Sequence, residues 1–191
     1  MPIERAFQQG TPAWREWRRK GIGASDAPVI MGASPWSTPV DLWLLKTGRV
    51  AERPPNWAMR RGTSLEDTAR RQYMERTGLK VAPTCFEHHE HTWMRGSLDG
   101  YHAAHALVVE IKCPGRQDHG TAVAGRVPTK YIAQLQHLMV VAAARACHYV
   151  SYREDELVIL EVAPDPAYMT RLVRAEAAFW ACVREGRRPG E

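Results

Sequence analysis

Cysteine is scarce in this chain, and long apolar runs are absent. Four cysteines occur in 191 residues, widely spaced and without a Cys-x-x-Cys pair. That pattern is typical of reduced thiols in a cytoplasmic protein, and it disfavours a zinc or iron–sulfur cage. No apolar run approaches the roughly 18 residues that a membrane-spanning helix needs, and the N-terminus is charged. We therefore expect neither secretion nor membrane insertion.

Lysine is the other scarce residue. Five lysines stand against 21 arginines, and the formal net charge is +5. Arginine makes bidentate contacts with phosphate, so this balance favours an anionic partner, although a compositional bias of the genome would produce the same excess. The chain is 45% hydrophobic and has no repeat, low-complexity tract or long linker. A single domain over residues 1–191 is expected.

The most informative stretch runs from Met94 to Pro114. Its apolar segment from residue 107 to 113 predicts a buried strand, on which side chains alternate between the two faces. Glu110 and Lys112 should therefore share one face, and Asp99 could reach them from an upstream turn. Two carboxylates hold a hard cation such as magnesium, and an ammonium group beside them steadies water or phosphate.

The Glu-x-Lys pattern alone is a weak signal. With 14 glutamates and five lysines in 191 residues, it should occur by chance about 0.4 times. An ion pair on the edge of a strand is an equally good interpretation of the motif by itself. Its position after an apolar strand, with Asp-Gly upstream, is what favours a metal site.

Periodicity and capping residues predict a mixed order of helices and strands. Helices are expected after Pro12, from Ser25 as N-cap to Gly32, at Val40–Thr47, Asn56–Thr77, from Pro128 onward and at Pro166–Arg184. Strands are expected at Leu79–Glu87, Thr92–Asp99, Leu107–Cys113, Ala146–Tyr152 and Leu157–Val162, with a glycine-rich loop at 115–125.

The start of one helix and the interior of another suggest contact with a ligand. The free N–H groups after Ser25, with Arg18 or Arg19 nearby, could bind an anion, and a plain capped helix is equally compatible with the pattern. In the long helix, Gly62 costs about 1 kcal/mol relative to alanine, which suggests close approach of a backbone or ligand. Glu66 lies one turn further along that face.

The arginines of the long helix form two pairs. Arg60-Arg61 and Arg70-Arg71 make plausible phosphate contacts, and a solvated basic face is the preferred interpretation of the second pair.

Two further features have simpler interpretations. Gln134, on an otherwise apolar helix, could hydrogen-bond a core backbone group or touch a catalytic water. The histidines at 88, 89 and 91 have a spacing that does not bring three rings to one ion, so a surface turn is preferred to a zinc site.

Taken in order, several short motifs resemble the phage lambda exonuclease and YqaJ-type viral recombinase family. The resemblance extends from about residue 14 to 140. It is carried by Trp14 with Arg18, the run from Ile22 to Asp26, Arg61-Gly62 with Glu66, the run from Gly96 to Gly100, Glu110-Ile111-Lys112-Cys113-Pro114, and Tyr131 with Gln134-Leu135-Gln136. The family usually has proline where this chain has Leu98, a change that affects only turn geometry.

The resemblance implies a restriction-endonuclease-like α/β core, a mixed β-sheet flanked by helices, and digestion of one strand of linear double-stranded DNA from its 5′ end. It implies two magnesium ions, for which manganese could substitute, and a homotrimeric ring around DNA. A single-strand annealing protein is the implied partner. The expected location is then a bacterial or phage-infected cytoplasm.

The resemblance also implies roles for particular residues. The metal ligands would be Asp99, Glu110 and the carbonyl of Ile111. Lys112 would orient the attacking water, with Glu66 supporting the metal site and Gln134 near the nucleophile. The 5′-phosphate pocket and DNA contacts would be Arg18, Ser25, Met59 as an apolar wedge, Arg60 and Arg61.

Two other functions remain compatible with these motifs. An endonuclease of the same fold, specific for a structure or sequence, would cut covalently closed circles. A non-catalytic DNA-binding module would use Glu110 and Lys112 only as an ion pair. An iron–sulfur nuclease of the Cas4 type is disfavoured by the cysteine spacing.

Overall fold

A computed structural model describes residues 1–52 and 54–190. Its centre is a seven-stranded mixed sheet. The strands are β1 (Ile3–Arg5), β2 (Ile22–Gly23), β3 (Ala82–Glu87), β4 (Met94–His102), β5 (Leu107–Lys112), β6 (Ala146–Arg153) and β7 (Glu156–Val162). Their order is β1-β3-β4-β5-β6-β7, with β2 paired in parallel to β4. Only β5 and β6 are parallel along the main path.

Seven helices flank this sheet in the described part of the chain. They are α1 (Pro12–Arg19), α2 (Ala27–Ile30), α3 (Pro39–Lys46), α4 (Trp57–Thr77), α5 (Arg116–Val123), α6 (Thr129–Ala142) and α7 (Pro166–Glu185). Side-chain caps at Thr11, Thr38, Asn56 and Asp165 fix the starts of α1, α3, α4 and α7. Within residues 1–52 and 54–190, no helix is both long and apolar enough to cross a bilayer.

The two faces of the sheet are covered by different helices. Ala69 and Tyr73 of α4 pack in one cluster with Val109 and Ile111. On the opposite face, leucines and Met139 of α6 pack against β4 and β5. Both faces of β5 are therefore buried, as is usual for a central strand with a parallel neighbour. The expected mixed sheet flanked by helices is confirmed.

The structure differs from the sequence-based expectations in several segments. The expected loop at 115–125 contains α5, and β1 was not anticipated. Ser25 is not an N-cap, because it lies inside a short 3₁₀ turn at Ala24–Asp26. The carboxylate of Asp26 instead accepts the N–H of Gly23 at 2.8 Å.

Asp99 lies within β4, and not in a turn between strands upstream of β5 as expected. The register between β3 and β4 shifts there: Ala82 is opposite Tyr101, but Thr84 is opposite Leu98. One extra residue is thus accommodated on β4, as in a β-bulge, which bends a strand and redirects a side chain. At this bulge, the N–H of Ile111 donates a hydrogen bond to Oδ2 of Asp99 at 2.8 Å.

A buried ion pair joins α6 and α7 behind the sheet. His137 and Glu176 have fully buried side chains, with Nδ1 of His137 at 2.8 Å from Oε1 of Glu176. Nε2 of His137 lies 3.1 Å from the carbonyl of Arg95. Burial alone would lower the pKa of His137, but Glu176 and the two hydrogen bonds outweigh burial and raise it.

We expect His137→Gln to destabilise the protein by about 3–5 kcal/mol at pH 6, because Glu176 loses its buried partner. Because the pKa of His137 is raised in the folded protein, the His137–Glu176 pair stabilises the wild type fully below the unfolded pKa of about 6.5. This stabilisation is lost as pH rises through the pKa that His137 has in the folded protein. Urea unfolding from pH 5.5 to 9 should therefore show the gap between wild type and variant narrowing with pH. A gap that stays constant or widens would contradict a charged histidine.

Candidate active site

Three side chains converge at the end of β5. Oε1 of Glu110 accepts hydrogen bonds from Nζ of Lys112 and from Nε2 of Gln134, both at 2.6 Å. Asp99 is held on the neighbouring strand by its bond to the N–H of Ile111. The sequence brings these groups together because alternation places Glu110 and Lys112 on one face and α6 covers that face with Gln134.

The carboxylate of Glu110 is buried but only partly satisfied. Its side chain is 3% exposed, so the pair with Lys112 is not an ion pair on an exposed strand edge. Oε2 of Glu110 has no hydrogen-bond partner within the described residues. A buried polar atom left unpaired costs about 1–3 kcal/mol, and a cation bound at this oxygen would remove that cost.

The charges around Glu110 also favour a bound cation. Burial and the nearby carboxylates of Glu110 and Glu66 raise the pKa of Asp99 well above its usual range. Burial also raises the pKa of Glu66, although Arg70 opposes the shift. Like charges crowded in a buried site disfavour ionisation, and a divalent cation would relieve the repulsion.

Lys112 remains a cation in this setting. Burial alone would lower its pKa, but Glu110 and Asp99 outweigh that effect and raise it. Its Nζ also lies 5.4 Å from the ring centroid of Tyr131. The ammonium can therefore donate hydrogen bonds and stabilise negative charge.

The donor set fits magnesium better than a closed metal cage. No group of three His, Cys, Asp or Glu side chains is placed to ligate one ion in the part of the chain that the structure describes. Asp99, Glu110 and the carbonyl of Ile111 would supply oxygen ligands, with water completing the shell. Magnesium keeps several waters and uses one or two carboxylates, so this set suits it.

Arg70 lies at the site, although the sequence pattern favoured a solvated position for it. The expected solvated basic face is wrong for this residue, since Arg70 is 8% exposed, whereas Arg71 is exposed. Arg70 pairs with Glu66 and donates from Nε to the carbonyl of Asp99 at 2.6 Å. It thereby ties α4 to the bulged strand. Its spacing of four residues from Glu66 was the available signal.

The N-terminal part of α4 is more open than expected. A Cβ atom at Gly62 would meet nothing within 4 Å, so no other backbone in the described chain approaches it. Met59 is 59% exposed. Arg60 donates to the carbonyl of Pro55 at 2.5 Å, and Arg61 donates to the carbonyl of Cys113 at 3.4 Å. Arg61 thus reaches the residue that directly follows β5.

Arg18 and Ser25 lie together, as the motif predicted. Nη2 of Arg18 donates to the Ser25 hydroxyl at 2.8 Å, and the guanidinium lies 4.6 Å from the ring centroid of Trp14. The indole N–H of Trp14 donates to the hydroxyl of Ser97, two residues before Asp99, at 2.8 Å. A chain of contacts therefore links Arg18 to the strand that carries Asp99.

The histidine cluster forms a stacked turn. Nδ1 of His88 accepts the N–H groups of Glu90 and His91 at 3.2 and 3.0 Å. The ring of His88 lies 5.1 Å from that of His91. These contacts engage one nitrogen of His88 in the turn itself.

Comparisons with known proteins place this arrangement in a class. The fold is restriction-endonuclease-like: an alkaline exonuclease (LHK-Exo) of Laribacter hongkongensis superposes with a TM-score of 0.81 at 25% identity, covering 92% of this chain and 94% of that one. The same enzyme in complex with dAMP gives a TM-score of 0.82 at 24% identity over the same shares. A phage-related exonuclease of Haemophilus somnus 129PT matches the fold at a TM-score of 0.63 and 15% identity, over 86% of this chain and 96% of that one.

The chain belongs to the YqaJ-like viral recombinase domain family, whose model matches residues 13–145. It is 30% identical over 173 residues to the protein YqaJ of Bacillus subtilis strain 168. The match covers 87% of this chain but 54% of that relative, so the chain spans about half its length. The family resemblance read from the motifs is confirmed.

Proposed function

We propose that this protein is a magnesium-dependent exonuclease that digests linear double-stranded DNA from the 5′ end. It would release 5′-mononucleotides and leave a 3′ single-stranded overhang for recombination by strand annealing. The observation that carries the proposal is the buried, half-satisfied carboxylate of Glu110, which pairs with Lys112 and interacts electrostatically with Asp99. Family membership and the similarity to an alkaline exonuclease support DNA as the substrate.

The reaction would be hydrolysis of a phosphodiester. Magnesium, when bound by Asp99, Glu110 and the Ile111 carbonyl, supplies Lewis-acid polarisation and a water of lowered pKa. Manganese could replace it. The ammonium of Lys112 orients the attacking water and offsets charge that develops on the phosphoryl oxygens.

The neighbouring side chains would hold this arrangement in place. Gln134 fixes the rotamer of Glu110 through its 2.6 Å hydrogen bond. Glu66, paired with Arg70, supports the acidic side of the site.

The polarity of digestion would be set by a pocket for the terminal phosphate. Arg18 offers a guanidinium and Ser25, inside a short 3₁₀ turn, offers a hydroxyl; the two groups lie 2.8 Å apart. Met59, Arg60 and Arg61 would contact the DNA end, with Met59 as an apolar wedge between bases. A homotrimeric ring and a single-strand annealing partner belong to the same proposal and rest on the family.

End-labelled linear duplexes, with and without a 5′-phosphate, test the function directly. We expect magnesium-dependent release of label from the phosphorylated 5′ end. Label lost from the 3′ end would reverse the proposed polarity. Cutting of covalently closed circles would identify the protein as an endonuclease. If no DNA is hydrolysed, the alternative of a non-catalytic DNA-binding module would be favoured.

Arg18→Ala should remove the preference for a 5′-phosphate. A charge-assisted hydrogen bond to phosphate contributes about 1.5–3 kcal/mol, so the ratio of rates on phosphorylated and unphosphorylated ends should fall roughly 10- to 150-fold. Arg15→Ala, an exposed residue of the same helix, serves as the matched control. If the preference survives in Arg18→Ala, the pocket lies elsewhere.

A further inference from the structure

Trp36 is an exposed aromatic side chain in the segment between α2 and α3. Its relative exposure is 72%. Single exposed apolar residues are common on protein surfaces and need no function. The contacts that hold the Trp36 indole are what distinguish it.

The ammonium of Lys130 lies over one face of the Trp36 indole. Nζ of Lys130 lies 4.8 Å from the ring centroid of Trp36 and 5.4 Å from that of Tyr131. The same Nζ pairs with Oδ2 of Asp118 at 2.6 Å, and both side chains are less than a quarter exposed. A cation within about 6 Å of an aromatic ring is attracted to it. One face of the indole is therefore in contact with a cation that Asp118 itself holds in place.

The position of Trp36 relates it to the catalytic centre. The Tyr131 ring lies 5.4 Å from Nζ of Lys130 and also 5.4 Å from Nζ of Lys112. These two separations and the 4.8 Å from Lys130 to the Trp36 ring set an upper limit on the distance from the indole to Lys112. The indole centre is at most about 16 Å from Nζ of Lys112, which corresponds to roughly five nucleotides at 3.4 Å per step.

We propose that Trp36 is a stacking platform for a nucleobase of the DNA end bound at the active site. The proposal rests on the proposed function, because it places a DNA end beside Lys112. An aromatic face accepts any base, so the contact would add affinity without sequence preference. Asp118 neutralises Lys130, and the indole face opposite Lys130 is the one that would contact DNA.

The test is binding of a fluorescein-labelled duplex with a 5′-phosphate, measured by anisotropy in EDTA so that no hydrolysis occurs. Base stacking on an aromatic side chain is lost in Trp36→Ala and in Trp36→Leu, so the dissociation constant should rise roughly 5- to 150-fold in both. Trp36→Phe retains a ring and should stay within about 3-fold of wild type. Val123→Ala, another exposed apolar side chain, is the matched control.

A second measurement locates the base. Duplexes with 2-aminopurine at successive positions from the end should show quenching at one position within about five nucleotides, and Trp36→Leu should abolish it. Since the side chain is exposed, thermal unfolding of the variants should stay within about 2 °C of wild type.

Three results would overturn the proposal: unchanged affinity in Trp36→Leu, equal loss in Trp36→Phe and Trp36→Leu, or a changed molecular mass by light scattering. The last result would assign Trp36 to a contact between protein chains. The binding measurements contain no metal, so they test the role of Trp36 independently of hydrolysis. A wild-type protein that does not hydrolyse DNA in magnesium would contradict the proposed function alone.

Discussion

Lys112→Ala is expected to lower magnesium-dependent hydrolysis of a linear duplex by roughly 10²- to 10⁴-fold. The ammonium is 2.6 Å from Oε1 of Glu110, and its raised pKa keeps it protonated at neutral pH. Under the proposed mechanism, its removal takes away the donor that orients the water and the positive charge that pairs with Glu110. Initial rates of nucleotide release at saturating DNA measure the effect.

The same variant should still bind duplex ends. Because the loss is confined to the chemical step, the dissociation constant in EDTA should change by no more than about 3-fold. Lys80→Ala removes an equal charge from an exposed position and provides the control. Full activity in Lys112→Ala would end the proposed mechanism.

Asp99→Asn should abolish activity and also remove the stabilisation of the protein by magnesium. A ligand that binds only the folded state at 100 times its dissociation constant adds about 2.7 kcal/mol, or roughly 5–10 °C for a chain of this size. Wild type should show such a rise in Tm on titration with magnesium, and the variant should show little. Differential scanning fluorimetry with increasing magnesium makes the comparison.

Without metal, Asp99→Asn should be more stable than wild type, which is the reverse of the order expected in magnesium. Burial and the neighbouring carboxylates raise the pKa of Asp99, so its ionised form is unfavourable in the folded state. The wild-type free energy of unfolding should therefore fall as pH rises from the unfolded pKa of about 3.9 through the folded value. Asn lacks this charge and keeps an oxygen for the Ile111 N–H, so the variant should be the more stable in EDTA at pH 8.

Glu75→Gln, on the exposed side of α4, is the control for the loss of one carboxylate. Equal stabilisation of wild type and Asp99→Asn by magnesium would show that the ion binds at another place.

The local elements could be predicted because their signals are local. The expected helix at Asn56–Thr77 corresponds to α4 at Trp57–Thr77, and the final helix at Pro166–Arg184 corresponds to α7 at Pro166–Glu185. Capping side chains and apolar periodicity depend on residues a few positions apart. The strand that carries Glu110 was likewise indicated by its run of apolar residues.

The expected loop at 115–125 was wrong for a different reason. Three glycines and a polar composition argue against a helix on propensity alone. In the structure, His119 of α5 is buried, and its Nδ1 lies 2.8 Å from the hydroxyl of Ser151 on β6. A contact across 32 residues thus anchors a helix that its own sequence does not favour.

The sequence alone determined the chemical groups of this protein, the alternation that places Glu110 beside Lys112, and the ordered motifs of its family. Tertiary structure alone decided that Asp99 lies at a strand bulge, that Arg70 is buried against it, and that one oxygen of Glu110 has no partner among the described residues. The reason is physical: residue type and periodicity act within a few positions, whereas burial and unsatisfied charge arise only when distant strands and helices pack together.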